Sequence, residues 1–170
     1  MKRLVTISML IVAVHASGLR HDGGYVLKRG QGEALFEGTL IVKASPRTGT
    51  QGGEMVWDAM PPGSSSGIHV HLRADEFFYV LEGNGVVLVK GKEVPIEPGD
   101  VIFVPKGEDH KIRNVDSSRP LTVIYFLDKP GLVDGFRAHH ERLKARKTPL
   151  TLEELNAISR KLGTIYKTLQ

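Results

Sequence analysis

The sequence predicts an all-β domain of antiparallel strands, a sandwich or a barrel, with a short helical extension after it. Between about Gly23 and Asp128, short apolar or alternating runs are separated by glycine- and proline-rich turns at regular spacing, which is typical of antiparallel β-structure. A parallel α/β fold is disfavoured because no ten-residue helical pattern lies between consecutive strands. After Asp128, charged and apolar residues recur at helical spacing instead.

Length and composition fit one globular domain. The 170 residues are 41% hydrophobic and 25% charged, which excludes a disordered chain, and about 150 residues is the usual size of one domain. The absence of cysteine excludes a disulfide scaffold, a thiolate metal site and a cysteine nucleophile. The net charge of +4 is small and no basic run is interleaved with aromatic residues, so we expect no nucleic-acid partner.

Residues 1–16 have the pattern of a secretory signal peptide. Lys2 and Arg3 precede a mostly apolar run over 4–14, and Val14-His15-Ala16 has small residues at the positions that a signal peptidase recognises. The run is shorter than the roughly 20 residues of a membrane span. We therefore expect a secreted or periplasmic protein with no membrane association after cleavage. The alternative is a first core strand, since Val, Ile and Thr are frequent in this run.

Eight strands are expected in the β domain, which we place at residues 17–128. They cover 34–43, 54–60, 68–71, 77–82, 86–89, 101–105, 110–115 and 121–127. Turn residues separate them, including Pro61-Pro62-Gly63, Gly83-Asn84-Gly85, Gly91-Lys92 and Glu97-Pro98-Gly99-Asp100.

Residues 129–170 are predicted to form the helical extension. A first helix is expected over 132–146, and a proline-containing break follows it. Thr151 and Glu154 then have the spacing of a capping box, and Gly163 is placed to end the second helix. The extension is too short to be a domain, so we expect a helical cap that packs on the β domain rather than a separate interaction module.

Four residues carry the chemistry of a metal site. His69 and His71 are two apart on a strand pattern, so their side chains point to the same face. Glu76 begins the next strand, and His110 begins a strand further along the chain. Such nitrogen and oxygen donors suit Fe, Mn, Co, Ni, Cu or Zn. The chemistry of these residue types leaves other interpretations open. His69 and His71 could be a surface pair or a hydrogen-bonded core pair. Glu76 could be an ordinary strand-end carboxylate, and His110 a solvated turn residue.

The spacing of ten residues resembles the two signature motifs of the cupin superfamily. Gly63, His69, His71, Glu76 and Gly83 spell G-x5-H-x-H-x4-E-x6-G, and Gly99, Pro105, Gly107, His110 and Asn114 spell G-x5-P-x-G-x2-H-x3-N. The 15 residues between the motifs are similar to the short interval of bacterial single-domain cupins. The resemblance implies a small antiparallel jelly-roll barrel in which His69, His71, Glu76 and His110 bind one divalent transition metal ion.

The resemblance also implies a function. The chain resembles quercetin dioxygenase-like single cupins, in which the ion would hold a phenolic or enediol substrate beside dioxygen and Glu76 could act as a base. Isomerases, cyclases and decarboxylases of the superfamily use the same ligands, so the fold does not determine the reaction. A non-catalytic module that binds a metal ion or a small ligand is the alternative from another class.

Strand alternation predicts which neighbours share the interior. If Glu76 points inward, so do Phe78 and Val80, and Ile112 lies inward beside His110. Phe78, Val80 and Ile112 are therefore predicted to line an apolar substrate pocket. The alternative is that they simply fill the barrel core.

The same alternation places Val70, Phe77 and Tyr79 on the outside. We expect the amino-terminal strand or a second copy of the chain to cover them, because cupins commonly form dimers. His139 and His140 are adjacent on a helix and point in different directions, so they are predicted to be solvated rather than to bind one ion.

Overall fold

Two antiparallel sheets build the molecule, and their inner faces share one core. The computed structural model describes residues 23–146 and 148–169, so the predicted signal peptide over 1–16 lies outside the described residues. In chain order the elements are β1 (Glu33–Leu35), β2 (Leu40–Ala44), β3 (Glu54–Met60), β4 (His69–His71), β5 (Glu76–Glu82), β6 (Gly85–Val89), β7 (Lys92–Ile96), β8 (Val101–Val104), β9 (His110–Asn114), β10 (Leu121–Leu127), α1 (Leu132–Arg146), α2 (Leu152–Ser159) and β11 (Thr164–Tyr166).

The strand order confirms the predicted jelly-roll architecture. The first sheet runs β1-β2-β3-β10-β5-β8, and the second runs β11-β4-β9-β6-β7. Val56, Val80 and Val123 of the first sheet share a buried cluster with Val87 and Ile112 of the second. Across the described part of the chain, no helix is long and apolar enough to span a membrane.

The predicted strand over 34–43 is in fact a tight hairpin. Phe36 and Glu37 adopt the left-handed conformation, with φ of 48° and 58°, so the chain reverses and Leu35 of β1 pairs with Leu40 of β2. Gly38 is the single glycine or proline between residues 34 and 43, which explains why the sequence pattern predicts one strand.

Two strands were not predicted, β7 and β11. Pro95 lies within β7, which the sheet tolerates because β7 is an edge strand. Before β11, Gly163 ends the helical segment with a φ of 97°, which favours glycine. The chain then returns as β11 to pair with β4, which places Thr164 opposite His71 and Tyr166 opposite His69.

Polar contacts fasten α1 to the first sheet. The carboxylate of Glu54, almost fully buried on β3, accepts a hydrogen bond of 3.0 Å from the backbone N–H of Val133 in the first turn of α1. Arg137, also buried, donates to both carboxylate oxygens of Glu33 on β1 and to Asp134 on its own helix. These contacts fix the orientation of the helix that covers the barrel.

An apolar patch lies on the outer face of the first sheet. Phe77 and Tyr79 are 40% and 46% exposed, and the Phe77 ring lies 4.9 Å from that of Phe103 between centroids. Val70, on the second sheet, is buried within the single chain instead. The covering of Phe77 and Tyr79 by a second copy of the chain stays a prediction.

Arg137→Met is expected to destabilise the protein, because it leaves the Glu33 carboxylate without its cation. The free energy of unfolding should fall by about 2–3 kcal/mol, somewhat less than for a fully buried pair, since Glu33 is partly exposed. Lys144→Met is the control on the same helix: its pair with Glu141 is exposed, so the loss should stay below about 0.5 kcal/mol. Urea titration measures both, and equal losses would contradict the structural role of Arg137.

Candidate metal centre

The four predicted ligands converge where the two sheets meet. His69 and His71 lie on β4 and His110 begins β9 in the second sheet, where His69 is paired with His110. Glu76 begins β5 in the first sheet. All four side chains are buried, and one nitrogen or oxygen donor from each lies within 4.8 Å of the others. The structure thus brings together every residue of the predicted ligand set.

Backbone carbonyls orient two of the imidazole rings. His69 Nδ1 lies 3.2 Å from the carbonyl oxygen of Gly67, and His110 Nδ1 lies 3.1 Å from that of Glu108. A carbonyl oxygen only accepts hydrogen bonds, so both Nδ1 atoms carry a proton. In both rings Nε2 is then the atom available to bind a metal ion, which is the usual arrangement for histidine ligands.

The imidazole of His71 has a hydroxyl partner, Thr164, that can pair with either tautomer of the ring. His71 Nδ1 lies 3.0 Å from the hydroxyl of Thr164 on β11, and His71 Nε2 lies 3.1 Å from Glu76 Oε2. Without a metal ion, Nε2 donates to the carboxylate and the hydroxyl donates to Nδ1. Because a hydroxyl can also accept, Thr164 can satisfy Nδ1 when Nε2 gives up its proton to bind a metal ion.

One buried atom of the cluster is not hydrogen-bonded. His110 Nε2 lies 2.8 Å from Glu76 Oε2, but its alignment makes no hydrogen bond, and it has no other partner among the described residues. A buried nitrogen of this kind, within 4.8 Å of donor atoms of His69, His71 and Glu76, is well suited to bind a cation. The mixed donor set fits a divalent transition metal ion.

Electrostatics keep the carboxylate ionised. Burial by itself raises the pKa of Glu76, but the neighbouring His71 and His110 outweigh burial and hold that pKa well below its usual range. Burial lowers the pKa of His69 well below the ordinary value, and the other two histidines add to this effect. An ionised carboxylate beside a neutral imidazole is the protonation state that metal binding requires.

A cavity of about 650 Å³ adjoins the cluster. His69 and Glu76 line it from the metal side, together with the predicted pocket residues Phe78 and Ile112. Val80, the third predicted pocket residue, is fully buried in the core and does not line this cavity. The wall opposite the barrel comes from the extension and includes Phe136, His139, Leu143, Leu150, Leu155, Tyr166 and Leu169.

The prediction that His139 and His140 are solvated is wrong. His139 is partly buried and lines the cavity, and burial lowers its pKa, with a smaller contribution from His140. His140 Nδ1 accepts a hydrogen bond of 3.1 Å from the backbone N–H of Phe36. The reason is that α1 packs this part of its surface on the hairpin between β1 and β2.

The sequence analysis did not identify three polar residues that line the cavity, Asp58, Tyr125 and Tyr166. Tyr166 on β11 stacks on His69, with the rings 5.3 Å apart and 22° from parallel. Asp58 on β3 and Tyr125 on β10 point into the cavity from the first sheet. Strand alternation across β3 could have placed Asp58 inside, since it lies two residues from Val56 and Met60 on an inward-facing pattern.

Comparison with known proteins supports the fold and the cluster. Residues 56–127 match the cupin domain family. A solved structure from Thermotoga maritima, described as a predicted oxalate decarboxylase, superimposes with a TM-score of 0.50 at 33% identity, covering 54% of this chain and 79% of that one.

Curated relatives match over shorter parts of their length. An oxalate-binding protein of Thermotoga maritima is 48% identical over 59 residues, which is 35% of this chain and 49% of that protein. Quercetin 2,3-dioxygenase of Bacillus subtilis is 32% identical over 114 residues, which is 66% of this chain and 33% of that enzyme. The chain therefore spans half or less of these two relatives.

Replacing His69, His71 or His110 with Ala is expected to abolish binding of one equivalent of a divalent transition metal, because each change removes one of four ligands. His139→Ala is the control, since His139 lines the cavity outside the ligand cluster. Titration calorimetry with Co²⁺ or Zn²⁺ measures the stoichiometry. Metal should raise the melting temperature of the wild type and of the control, because it binds only the folded state. A His110→Ala variant with one tight site would contradict the ligand assignment.

Thr164→Val is expected to weaken metal binding by about 10- to 100-fold, the usual effect of removing the hydrogen-bond partner of a histidine ligand. The variant is nearly isosteric, so β11 should stay in place. Thr164→Ser retains the hydroxyl and should bind metal within about threefold of the wild type, which chelator competition can measure. Equal affinities of the valine and serine variants would show that Thr164 does not orient His71.

Proposed function

This chain belongs to the cupin superfamily, and on that basis we propose that it is a mononuclear metal-dependent oxygenase acting on a small phenolic or enediol substrate. The observation that carries the proposal is the direct contact between the ligand cluster and a large, mostly apolar cavity. Both His69 and Glu76 reach the cavity wall, so a ligand bound there would meet the ion directly.

The cavity favours an uncharged organic molecule. Its volume of about 650 Å³ lies in the range of pockets for drug-sized ligands, and much of its wall is formed by side chains such as Phe78, Ile112 and Phe136. No lysine or arginine occurs among the described residues that line it. A small dianion such as oxalate would therefore have the ion as its single cationic partner, whereas an aromatic ring would contact the apolar walls.

Each residue of the site has a defined part in this proposal. The bound ion would supply Lewis-acid and redox chemistry toward two adjacent substrate oxygens. Glu76, held ionised beside His71 and His110, would accept the proton of a substrate hydroxyl on its carboxylate. The apolar side chains of α1 and α2 exclude water from the reacting centre, which limits side reactions.

A non-catalytic binding protein is the second candidate. The 48% identity over 59 residues to an oxalate-binding protein favours it, because the name of that relative describes binding and no turnover. The two candidates differ in one measurable respect, which is whether dioxygen is consumed when the metal-loaded protein meets an oxidisable ligand.

We expect substrate-dependent dioxygen uptake with a flavonol, a catechol or an enediol when the protein is loaded with Fe, Mn, Co, Ni or Cu. Glu76→Gln should lower turnover by about 100-fold or more and affect metal affinity less, because three histidines remain to hold the ion. Glu82→Gln, at the exposed far end of β5, is the matched control and should leave turnover unchanged. An oxygen electrode records the rates.

Other outcomes would change the proposed reaction. Turnover that proceeds equally well without dioxygen would indicate an isomerase, cyclase or lyase. Saturable ligand binding with no turnover under any metal would favour the binding protein. Equal losses of turnover in the Glu76→Gln and Glu82→Gln variants would contradict the role of Glu76 as a base.

A further inference from the structure

A carboxylate lies on the inner face of the barrel, away from the metal ligands. Asp58 occupies β3 between Leu40 of β2 and Val123 of β10 in the strand register, and both neighbours are buried apolar residues of the core. Its side chain lines the cavity. An apolar residue would suit such surroundings better, so the fold itself does not require an acid there.

Asp58 has no polar partner among the described residues. No hydrogen bond or ion pair to its carboxylate is formed in the described part of the chain. Glu54 makes the contrast clear, because it lies on the same strand and face yet caps α1 through the backbone N–H of Val133. Glu54 thus has a structural role in the single chain, whereas Asp58 has an acceptor group directed at open cavity.

The environment of Asp58 disfavours its charge. Burial raises the pKa of Asp58 to about 7, and the buried Tyr125 phenol faces it from β10. An acid kept in apolar surroundings without a partner costs folding free energy. Groups of this kind concentrate at sites where a ligand provides the missing contact.

We propose that Asp58 is the second polar contact for the ligand of this cavity, where it accepts a hydrogen bond from a hydroxyl group remote from the oxygens that face the metal. This inference rests on the proposed function and narrows its substrate class. It selects an uncharged phenol with a distal hydroxyl, and it disfavours a ligand with an anionic group at that end.

The register indicates how long such a substrate must be. On β10, Leu127 lies beside Glu76 and Val123 lies beside Asp58, so the two acids are four residues apart along the strand direction. The acids also lie on opposite sides of β10. Four residues at about 3.3 Å and two strand spacings of about 4.8 Å together separate their Cα positions by roughly 16 Å. A single catechol ring is too short to reach both ends, and a phenol of two or three rings has the required length.

The test compares two probes that differ by one hydroxyl, 3-hydroxyflavone and its derivative with an additional hydroxyl on the distal ring. Binding to the cobalt-loaded protein is measured without dioxygen, so no turnover is needed. At pH 8, above the pKa of about 7 that burial gives Asp58, the wild type should bind the hydroxylated probe about 10- to 100-fold more tightly, the range for a hydrogen bond to a charged acceptor. Asp58→Leu, of similar size, should reduce this ratio to about threefold or less.

Asp58→Asn and Glu54→Gln complete the experiment. Asp58→Asn retains an acceptor oxygen but loses the charge, so its ratio should be intermediate. Both Asp58 variants should melt at or above the wild-type temperature, because a partly buried, unpartnered acid is removed. Glu54→Gln, on the same strand face, should leave the ratio unchanged. An unchanged ratio in Asp58→Leu would overturn the role of Asp58 while the oxygenase proposal stands. If neither probe binds the wild type, the flavonol-type substrate and the role of Asp58 are both overturned.

Discussion

The structure depends on the close approach of Glu76 in one sheet to His71 and His110 in the other. One carboxylate oxygen lies 3.1 Å from His71 Nε2 and 2.8 Å from His110 Nε2, and all three side chains are buried. At this end of the barrel the two sheets therefore contact each other through a carboxylate and two imidazoles, whereas the rest of the contact between their inner faces is the apolar core. A cation at this point would join two sheets that otherwise present buried polar groups to each other.

Each histidine ligand has a neighbouring group that orients its imidazole ring. Carbonyl oxygens of Gly67 and Glu108 fix two imidazole rings, and the Thr164 hydroxyl serves the third. Gly67 is required for this arrangement, since its φ is 73° and a Cβ there would lie 2.5 Å from the carbonyl oxygen of Thr168. The carboxyl-terminal segment thus both packs against the loop before β4 and orients the ring of His71.

Local alternation was sufficient to predict antiparallel β-structure, and the resemblance to the cupin motifs implied the jelly-roll barrel and the gathering of His69, His71, Glu76 and His110. It was not sufficient for β11, since three residues after a helix carry no periodicity of their own and pair only because β4 offers a free edge. His139 shows the same limit: its burial depends on the docking of α1. Asp58 was overlooked because the two motifs contain no residue of β3.

The pairing of β11 with β4 also has a consequence for biogenesis. The contacts between Tyr166 and His69 and between Thr164 and His71 join positions more than 90 residues apart in sequence, so they form late during synthesis and late in folding. A nascent chain would present three histidines and a glutamate before the extension can orient or enclose them. The orientation of His71 by Thr164 is consequently reached only after β11 has paired with β4.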